Sequence, residues 1–269
     1  MASKLTTISL RKKICIFGLI FFQSISYVYA VELKNLSCTT CKCGIISTSH
    51  YSDKYPKANP VLERKGYTLA HDGRTKTALW VYEELTKDSC SGNIDRSQFR
   101  FMQDPDIPKI IQSDLVDYLR SGFDRGHLAA AGNHKSIKIS MKETFYLSNI
   151  SAQVPRFNRG YWKKFENYIR SLTNEYDMIR VVTGPLYLSY EGPDGKRYVT
   201  YQVIGPNEVA VPPHFFKVIT LEKGSFQEQR AYVIPNEKID QEIPFSDFQT
   251  TVSKVEKISG IIFQKFSEQ

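Results

Sequence analysis

Beyond residue 30 this 269-residue chain has no apolar stretch approaching the roughly 20 residues that span a bilayer, which excludes a further transmembrane helix. It also lacks internal repeats, low-complexity tracts and long flexible linkers. A single domain with one sizeable core is therefore the economical expectation. No helix-turn-helix, zinc-finger or RNA-recognition signature is present, which argues against a sequence-reading regulator. A large charge excess is missing too. The formal net charge is +8, but Lys4, Arg11, Lys12 and Lys13 hold four of the 36 cations. Without the first 30 residues, 32 cations face 28 carboxylates, and global charge says little about a nucleic-acid partner.

What is present starts with the N-terminus. Arg11, Lys12 and Lys13 precede an uncharged apolar block, Ile14 to Phe22, and Val28-Tyr29-Ala30 offers small residues at cleavage positions. Residues 1–30 read as a removable signal peptide, which places the mature protein outside the cell or in a periplasm, with no stable membrane association after cleavage. The segment has no acidic residue and is rich in Ser and Thr, so a mitochondrial presequence remains an alternative, as does an uncleaved anchor. Residues 31–60 form a polar, cysteine-bearing arm, and residues 61–269 the main domain. Cys38, Cys41, Cys43 and Cys90 remain after cleavage. In an oxidising compartment they form disulfides, with three pairings open. Tetrahedral zinc held by the cluster with Cys90 or His50 is the competing reading. Asn35-Leu36-Ser37 matches a glycosylation acceptor.

The chemistry concentrates in Asp124-Arg125-Gly126-His127. A histidine titrating near ~6.5 can deprotonate water at neutral pH. An arginine stays charged and forks onto phosphate oxygens, and Gly126 lets the backbone turn. This is the residue set that phosphodiester hydrolysis needs. Downstream, Arg156, Arg159, Lys163, Lys164 and Arg170 interleave with Phe157, Tyr161 and Trp162, consistent with a phosphate-binding face. Trp162, Phe165, Ile169, Leu172 and Tyr176 share one apolar face of a helix expected from Asn158 to Tyr176, with Asn158 at the N-cap position. Strands are expected at 75–82, 144–150, 179–183, 198–204, 215–221 and 230–234, with Gly192-Pro-Asp-Gly195 as a turn. Helices are expected at 112–120 and 245–258. Many strands with few helices indicate an α+β fold with a mixed or antiparallel sheet.

The motifs D-R-G-H at 124–127, S-N-x-x-x-Q at 148–153 and N-x-x-x-W-x-x-x-E at 158–166 resemble, in order, those of the sugar-non-specific DNA/RNA endonucleases of the ββα-metal (His-Me finger) class. Thr183-Gly184-Pro185-Leu186, the stretches 201–205 and 213–218, and Ile258 to Phe263 are similar to the endonuclease G-like branch, so the likeness covers about residues 60–265. Gly132 departs from that branch, whose members usually carry Ala there, without touching a catalytic position. The resemblance implies a ββα-metal unit and cleavage of DNA and RNA that leaves 5′-phosphate ends. It implies magnesium, or manganese in its place, on Asn158, and His127 as general base. Arg125 contacts the phosphate, Glu166 orients metal-bound water and Asn149 holds the histidine region. Arg100, Arg156 and Arg159 are further expected substrate contacts. A homodimer is implied as well. A mitochondrial nuclease of the endonuclease G type and a catalytically degenerate nucleic-acid binder remain alternatives. His50, His71, His134 and His214 are expected to be structural.

Overall fold

The structure, a computed structural model, describes residues 58–263. The signal and arm assignments, Cys38, Cys41, Cys43 and the Asn35 acceptor lie outside the described residues. Along the chain, β1 (Val61–Glu63), β2 (Tyr67–Asp72) and β3 (Thr77–Leu85) lead through the one-turn helices α1 (Lys87–Cys90) and α2 (Leu115–Tyr118) to β4 (Asp124–His127). Helix α3 (Lys138–Glu143) precedes β5 (Ile150–Gln153), α4 (Lys163–Ser171) and β6 (Met178–Leu186). Two short hairpins follow, β7 (Tyr190–Glu191) with β8 (Arg197–Tyr198) and β9 (Val203–Ile204) with β10 (Val209–Ala210). The chain closes with β11 (His214–Lys223), β12 (Phe226–Pro235), β13 (Gln249–Thr250) and α5 (Val252–Ser259).

Seven strands form one antiparallel sheet in the order β1-β2-β3-β6-β11-β12-β13. Side chains alternate across a strand, and β11 shows what that does here. Phe215, Ile219 and Leu221 face the core built with Phe157, Tyr161, Trp162 and Phe165 of the α4 side. Phe216 and Val218 face the opposite layer, with Val255 of α5 and Phe263. With both faces covered, β11 reads as a nearly continuous apolar run. The α+β expectation, with few helices around a large antiparallel sheet, is what the chain adopts.

Local signals were less exact. The expected strand at 144–150 is instead the end of α3, a 3-10 turn at Leu147–Asn149 and then β5. Tyr146 makes only an isolated parallel bridge with Met102, and the backbone of Thr144 and Ala129 bonds the Asn149 side chain. Helix 112–120 shrinks to α2, because Arg120 takes a left-handed φ of 58° and Gly122 follows at 86°. The 245–258 helix splits around β13, and only α5 remains, ended by left-handed Gly260. Residues 198–204 divide between two hairpins. Strand β2 and helix α3 had no counterpart in the sequence reading.

β4 and β5 pair outside the main sheet, with Asp124 opposite Gln153 and His127 opposite Ile150. Thr77 Oγ1 donates to Ile150 O at 2.9 Å and ties this ribbon to β3. The buried Asn236 side chain accepts from Val154 N and donates to Ala152 O and Pro212 O, fastening β5 to the end of β12. A helical run from 155 to 174 then packs its aromatic face on the sheet.

Candidate active site

Strand β4, the loop after it and the helix carrying Asn158 surround an open cavity of about 740 Å³. His127, Arg125, Asn158, Glu166 and Arg159 all line it. The cations Arg96, Lys135, Lys163 and Arg170 complete a wall in which positive charge outnumbers Asp124 and Glu166. Such a cleft holds a polyanion through its phosphates.

His127 sits between the rings of Phe101 and Phe145, with centroids at 5.3 and 5.2 Å. Its Nε2 is buried without a hydrogen-bond partner among the described residues, leaving Nδ1 as the nitrogen available to the cavity. Burial in this aromatic sleeve, helped by the nearby Arg96 and His134, pushes its pKa down to about 3. The strand behind it is held closely. Trp162 Nε1 donates to His127 O at 3.4 Å. Asn149 accepts from Ala129 N at 2.8 Å and donates to Ala129 O and Thr144 O, fixing the chain two residues after the histidine. Asn149 is fully buried and does not line the cavity.

Gly126 plays a different part from the one expected. It lies within β4, paired with Ser151, and does not turn the chain. A Cβ there would come within 2.1 Å of Gln153 Oε1, so the glycine makes room for the Gln153 side chain crossing the ribbon.

Asn158 also departs from expectation. It is not an N-cap. It lies inside a π-helical turn, Phe157–Trp162, and its own N–H donates to Val154 O at 2.9 Å. Widened turns of this kind are frequent at functional sites. Its Nδ2 donates to Asp124 Oδ2 at 2.9 Å, and Arg159 binds the same carboxylate through two nitrogens. An ionised carboxylate only accepts. Asp124 therefore draws the amide NH₂ toward itself and turns Asn158 Oδ1 away, without a partner among the described residues, in the cavity. Desolvation opposes ionisation of Asp124, but Arg159 and Asn158 outweigh it and hold its pKa below the usual carboxylate value.

Glu166 is on the same helix, two turns on. Burial raises its pKa to about 7, although Lys217 and Arg170 pull the other way. Lys217 itself is buried, donates to Thr183 Oγ1 at 2.6 Å and lies 4.7 Å from the Trp162 ring centroid. Behind the cavity runs a satisfied polar chain. Arg170 Nε donates to Asn133 Oδ1, Asn133 Nδ2 donates to Glu83 Oε1, and Glu83 meets His134 Nε2 at 3.1 Å. Ser140 Oγ closes it on His134 Nδ1.

Two expected substrate contacts are not brought to the cavity. The Arg100 guanidinium folds back on Ser97 O and Phe99 O, and Arg96, four residues earlier, lines the cavity in its place. Arg156 is exposed at the start of the helical run and does not line it. Lys164 points to the opposite side, onto Gln241 O and the Phe245 ring. The sequence did not single out Arg96 and Lys135 for the site, and it held Asp124 within the motif without a role of its own. An adjacent cation signal existed for Arg96, in Asp95-Arg96-Ser97, but nothing in it distinguished that residue from Arg100. Among the described residues no group of three His, Cys, Asp or Glu side chains could hold a metal. Cys90, half-buried on α1, has no disulfide partner among the described residues.

An antiparallel strand pair followed by a helix, with histidine on the first strand and asparagine on the helix, is the plan of a ββα-metal nuclease. The model of the DNA/RNA non-specific endonucleases matches residues 47–267, and the chain belongs to that family. It is an endonuclease of a metal-dependent family that acts on nucleic acid. Among its relatives, human mitochondrial endonuclease G is 47% identical over 201 residues, 74% of this chain and 68% of that protein. Nuclease C1 of Cunninghamella echinulata is 44% identical over 210 residues, covering 77% of this chain and 83% of the relative. A crystal structure of an EndoG/EndoGI complex superposes with a TM-score of 0.75 at 44% identity, over 78% of this chain and 87% of the solved one.

Proposed function

We propose that the protein hydrolyses phosphodiester bonds of both DNA and RNA with magnesium, leaving 5′-phosphate ends, with His127 as the general base. The observation that carries this reading is the meeting of His127, Arg125, Asn158 and Glu166 on one cation-lined cavity. The donor set suits a hard cation. One unengaged amide oxygen, on Asn158, is presented next to open space for water and phosphate, which fits magnesium or manganese and not a thiolate-seeking zinc. A bound magnesium supplies charge at the phosphate and the leaving 3′ oxygen. Arg125 holds a non-bridging phosphate oxygen. His127 Nδ1 takes a proton from the attacking water, whose oxygen bonds to phosphorus as the P–O3′ bond breaks. The departing 3′ oxygen takes a proton from solvent water, so the fragments end in a 5′-phosphate and a 3′-hydroxyl. An incoming phosphate is an anion beside a histidine whose proton affinity is depressed partly by Arg96, so substrate raises that affinity when the base is needed. Glu166, when ionised, accepts from water in the cavity and orients it. Asn149 acts as a positioning residue, and Arg159 serves chiefly to set Asp124.

A phosphate-centred site carries little sequence information, which supports low specificity for sequence and sugar. Incubating the mature protein with plasmid and with RNA, in magnesium and in chelator, tests the reading. Metal-dependent cleavage of both is expected. Binding of both without cleavage assigns the degenerate, non-catalytic alternative.

For the compartment, the relatives named as mitochondrial favour the mitochondrial alternative over secretion. Fractionation with N-terminal sequencing separates them, since a presequence and a secretory signal deliver the protein to different membranes. A homodimer is proposed by likeness to the family, and light scattering of the mature chain tests it.

A further inference from the structure

A second cavity, of about 560 Å³, adjoins the first and shares Asp124 and Arg125 with it. Its other walls are Leu115, Val116 and Leu119 of the α2 segment, Phe123, Arg120 and Asp114. The α2 segment is firmly anchored on its inner side. Asp117 is buried and accepts from Asn207 N at 2.9 Å and from Asn207 Nδ2. A Cβ at left-handed Gly205 would come within 2.2 Å of the Asp117 backbone, so the hairpin loop presses directly on the helix. Tyr118 is buried beside it.

The outer side is built against the interest of folding. Leu115, Val116 and Leu119 are 40%, 50% and 69% exposed, and a side chain left in water contributes nothing to the core. Arg120 follows with a φ of 58°, a conformation that favours glycine. Such outliers persist where surrounding structure imposes them, and they cluster at functional sites. The guanidinium groups of Arg120 and Arg125 make no hydrogen bond within the described residues, and Arg125 is stacked 4.6 Å from the Phe101 ring centroid. Apolar wall and unengaged guanidinium groups alternate over a distance continuous with the cleavage cavity.

We propose that this second cavity is a nucleotide subsite for the residue next to the scissile phosphate. The base lies against Leu115, Val116 and Leu119 beside Arg120, and Arg125, common to both cavities, holds the scissile phosphate to which that nucleotide is joined. Aliphatic contact with the flat face of a base is sequence-tolerant, because every base presents such a face. The subsite thus adds affinity without adding a code. It rests on the nuclease reading above and deepens it.

The test uses the full-length chain and single-stranded DNA oligonucleotides with one cleavable phosphodiester, every other linkage being methylphosphonate. In two further substrates the nucleotide on the 5′ or the 3′ side of that bond lacks its base. The wild type is expected to lose about fivefold in kcat/KM on one of the two base-free substrates. The double variant Val116→Ala, Leu119→Ala is expected to lose a similar factor on the intact substrate and nothing further on that base-free one. Val61→Ala, an exposed apolar position on β1, is the control and should match wild type. Equal melting temperatures establish that the double variant is folded. Fluorescence anisotropy of the uncut oligonucleotides in chelator supplies a second readout, with weaker binding of the base-free substrate by wild type alone. The proposal is overturned if the double variant cuts the intact substrate at the wild-type rate. It is equally overturned if base removal costs wild type and variant the same on both sides. A wild type that cuts nothing in magnesium sinks the nuclease reading instead, and the anisotropy still decides the subsite.

Discussion

His127 and His134 are seven residues apart, both enclosed by protein, and they do opposite things. His134 has a partner on each nitrogen, Glu83 on one and Ser140 on the other, and through Glu83 it joins Asn133 and Arg170. His127 has a sleeve of phenylalanine rings, one buried nitrogen without a partner among the described residues and one nitrogen available to the cavity. A satisfied buried network contributes stability and fixes geometry. An unsatisfied group in a pressed, apolar site costs stability and is kept for chemistry. The region around His134 is therefore the support, and the region around His127 is the working face.

The sharpest way to break this contrast is to delete each ring. His127→Ala should reduce turnover on plasmid and RNA by about 10²–10⁴-fold. Its melting temperature should not fall. His134→Ala should destabilise the fold by about 1–3 kcal/mol, because the buried Glu83 loses a partner. Its activity should follow the folded fraction only. Kinetics paired with thermal melts on both variants decide this, and the two histidines must exchange roles if His134→Ala is the more catalytically damaged while fully folded.

The next effect concerns Asn158 and its orienting carboxylate. Asp124→Asn should raise the magnesium concentration needed for half-maximal cleavage by about 10–100-fold, with Asn158 intact, because the amide is no longer held in one orientation. Asn158→Ala should raise it at least as far. Because Asn158 is not a helix cap, that variant's melt in chelator should stay near wild type. A large drop in its melting temperature together with an unchanged magnesium titration would return the residue to a structural role.

Two glycines sharpen the same division on the stability side. Gly126→Ala puts a methyl group into the buried Gln153 side chain and should cost about 1–3 kcal/mol. Gly132→Ala meets the end of the Arg170 guanidinium, at 2.6 Å, a half-buried group that can shift only at the expense of its bonds to Asn133 and Asn167. It should cost well under the Gly126 change by chemical denaturation. Equal losses at the two positions would mean that Arg170 is as fixed as the ribbon.

The smallest effect is a pH dependence. The folded pKa of Glu166 is raised to about 7, above the value it has unfolded, by burial. Its contribution to stability is then fully present below the unfolded pKa and is lost as pH rises through about 7. In metal-free protein, Glu166→Gln should remove that loss, so the variant gains on wild type between pH 5 and pH 8 by differential scanning calorimetry. His127 has the reverse sign. Its folded pKa is depressed to about 3, so its stabilising share is present above the unfolded value near 6.5 and declines as pH falls. Cleavage is accordingly expected to keep its base below pH 6, and a kcat/KM that falls with an apparent pKa near 6.5 in the Glu166→Gln variant would mean that His127 keeps its ordinary basicity. A Glu166→Gln melt that tracks wild type at every pH would remove burial as the cause.

The amino-acid sequence by itself determined the plan of this protein. The order Asp124-Arg-Gly-His127, Asn149, Asn158, Trp162, Glu166 and the apolar stripe of the helix were legible because both are local. Residues one to a few turns apart on one element carry their own spacing, and period alone assigns a face. Which cations serve the cavity was not local. Arg96 and Arg100 are four residues apart, and only the carbonyls of Ser97 and Phe99 decide that Arg100 turns back. Gly126 is explained by Gln153 on another strand, and Asn158 is turned by Asp124 from 34 residues away. The depressed basicity of His127 and the raised pKa of Glu166 come from desolvation, which no sequence spacing reports. Composition and spacing select the chemical groups. Packing alone decides which atoms of those groups are left without a partner.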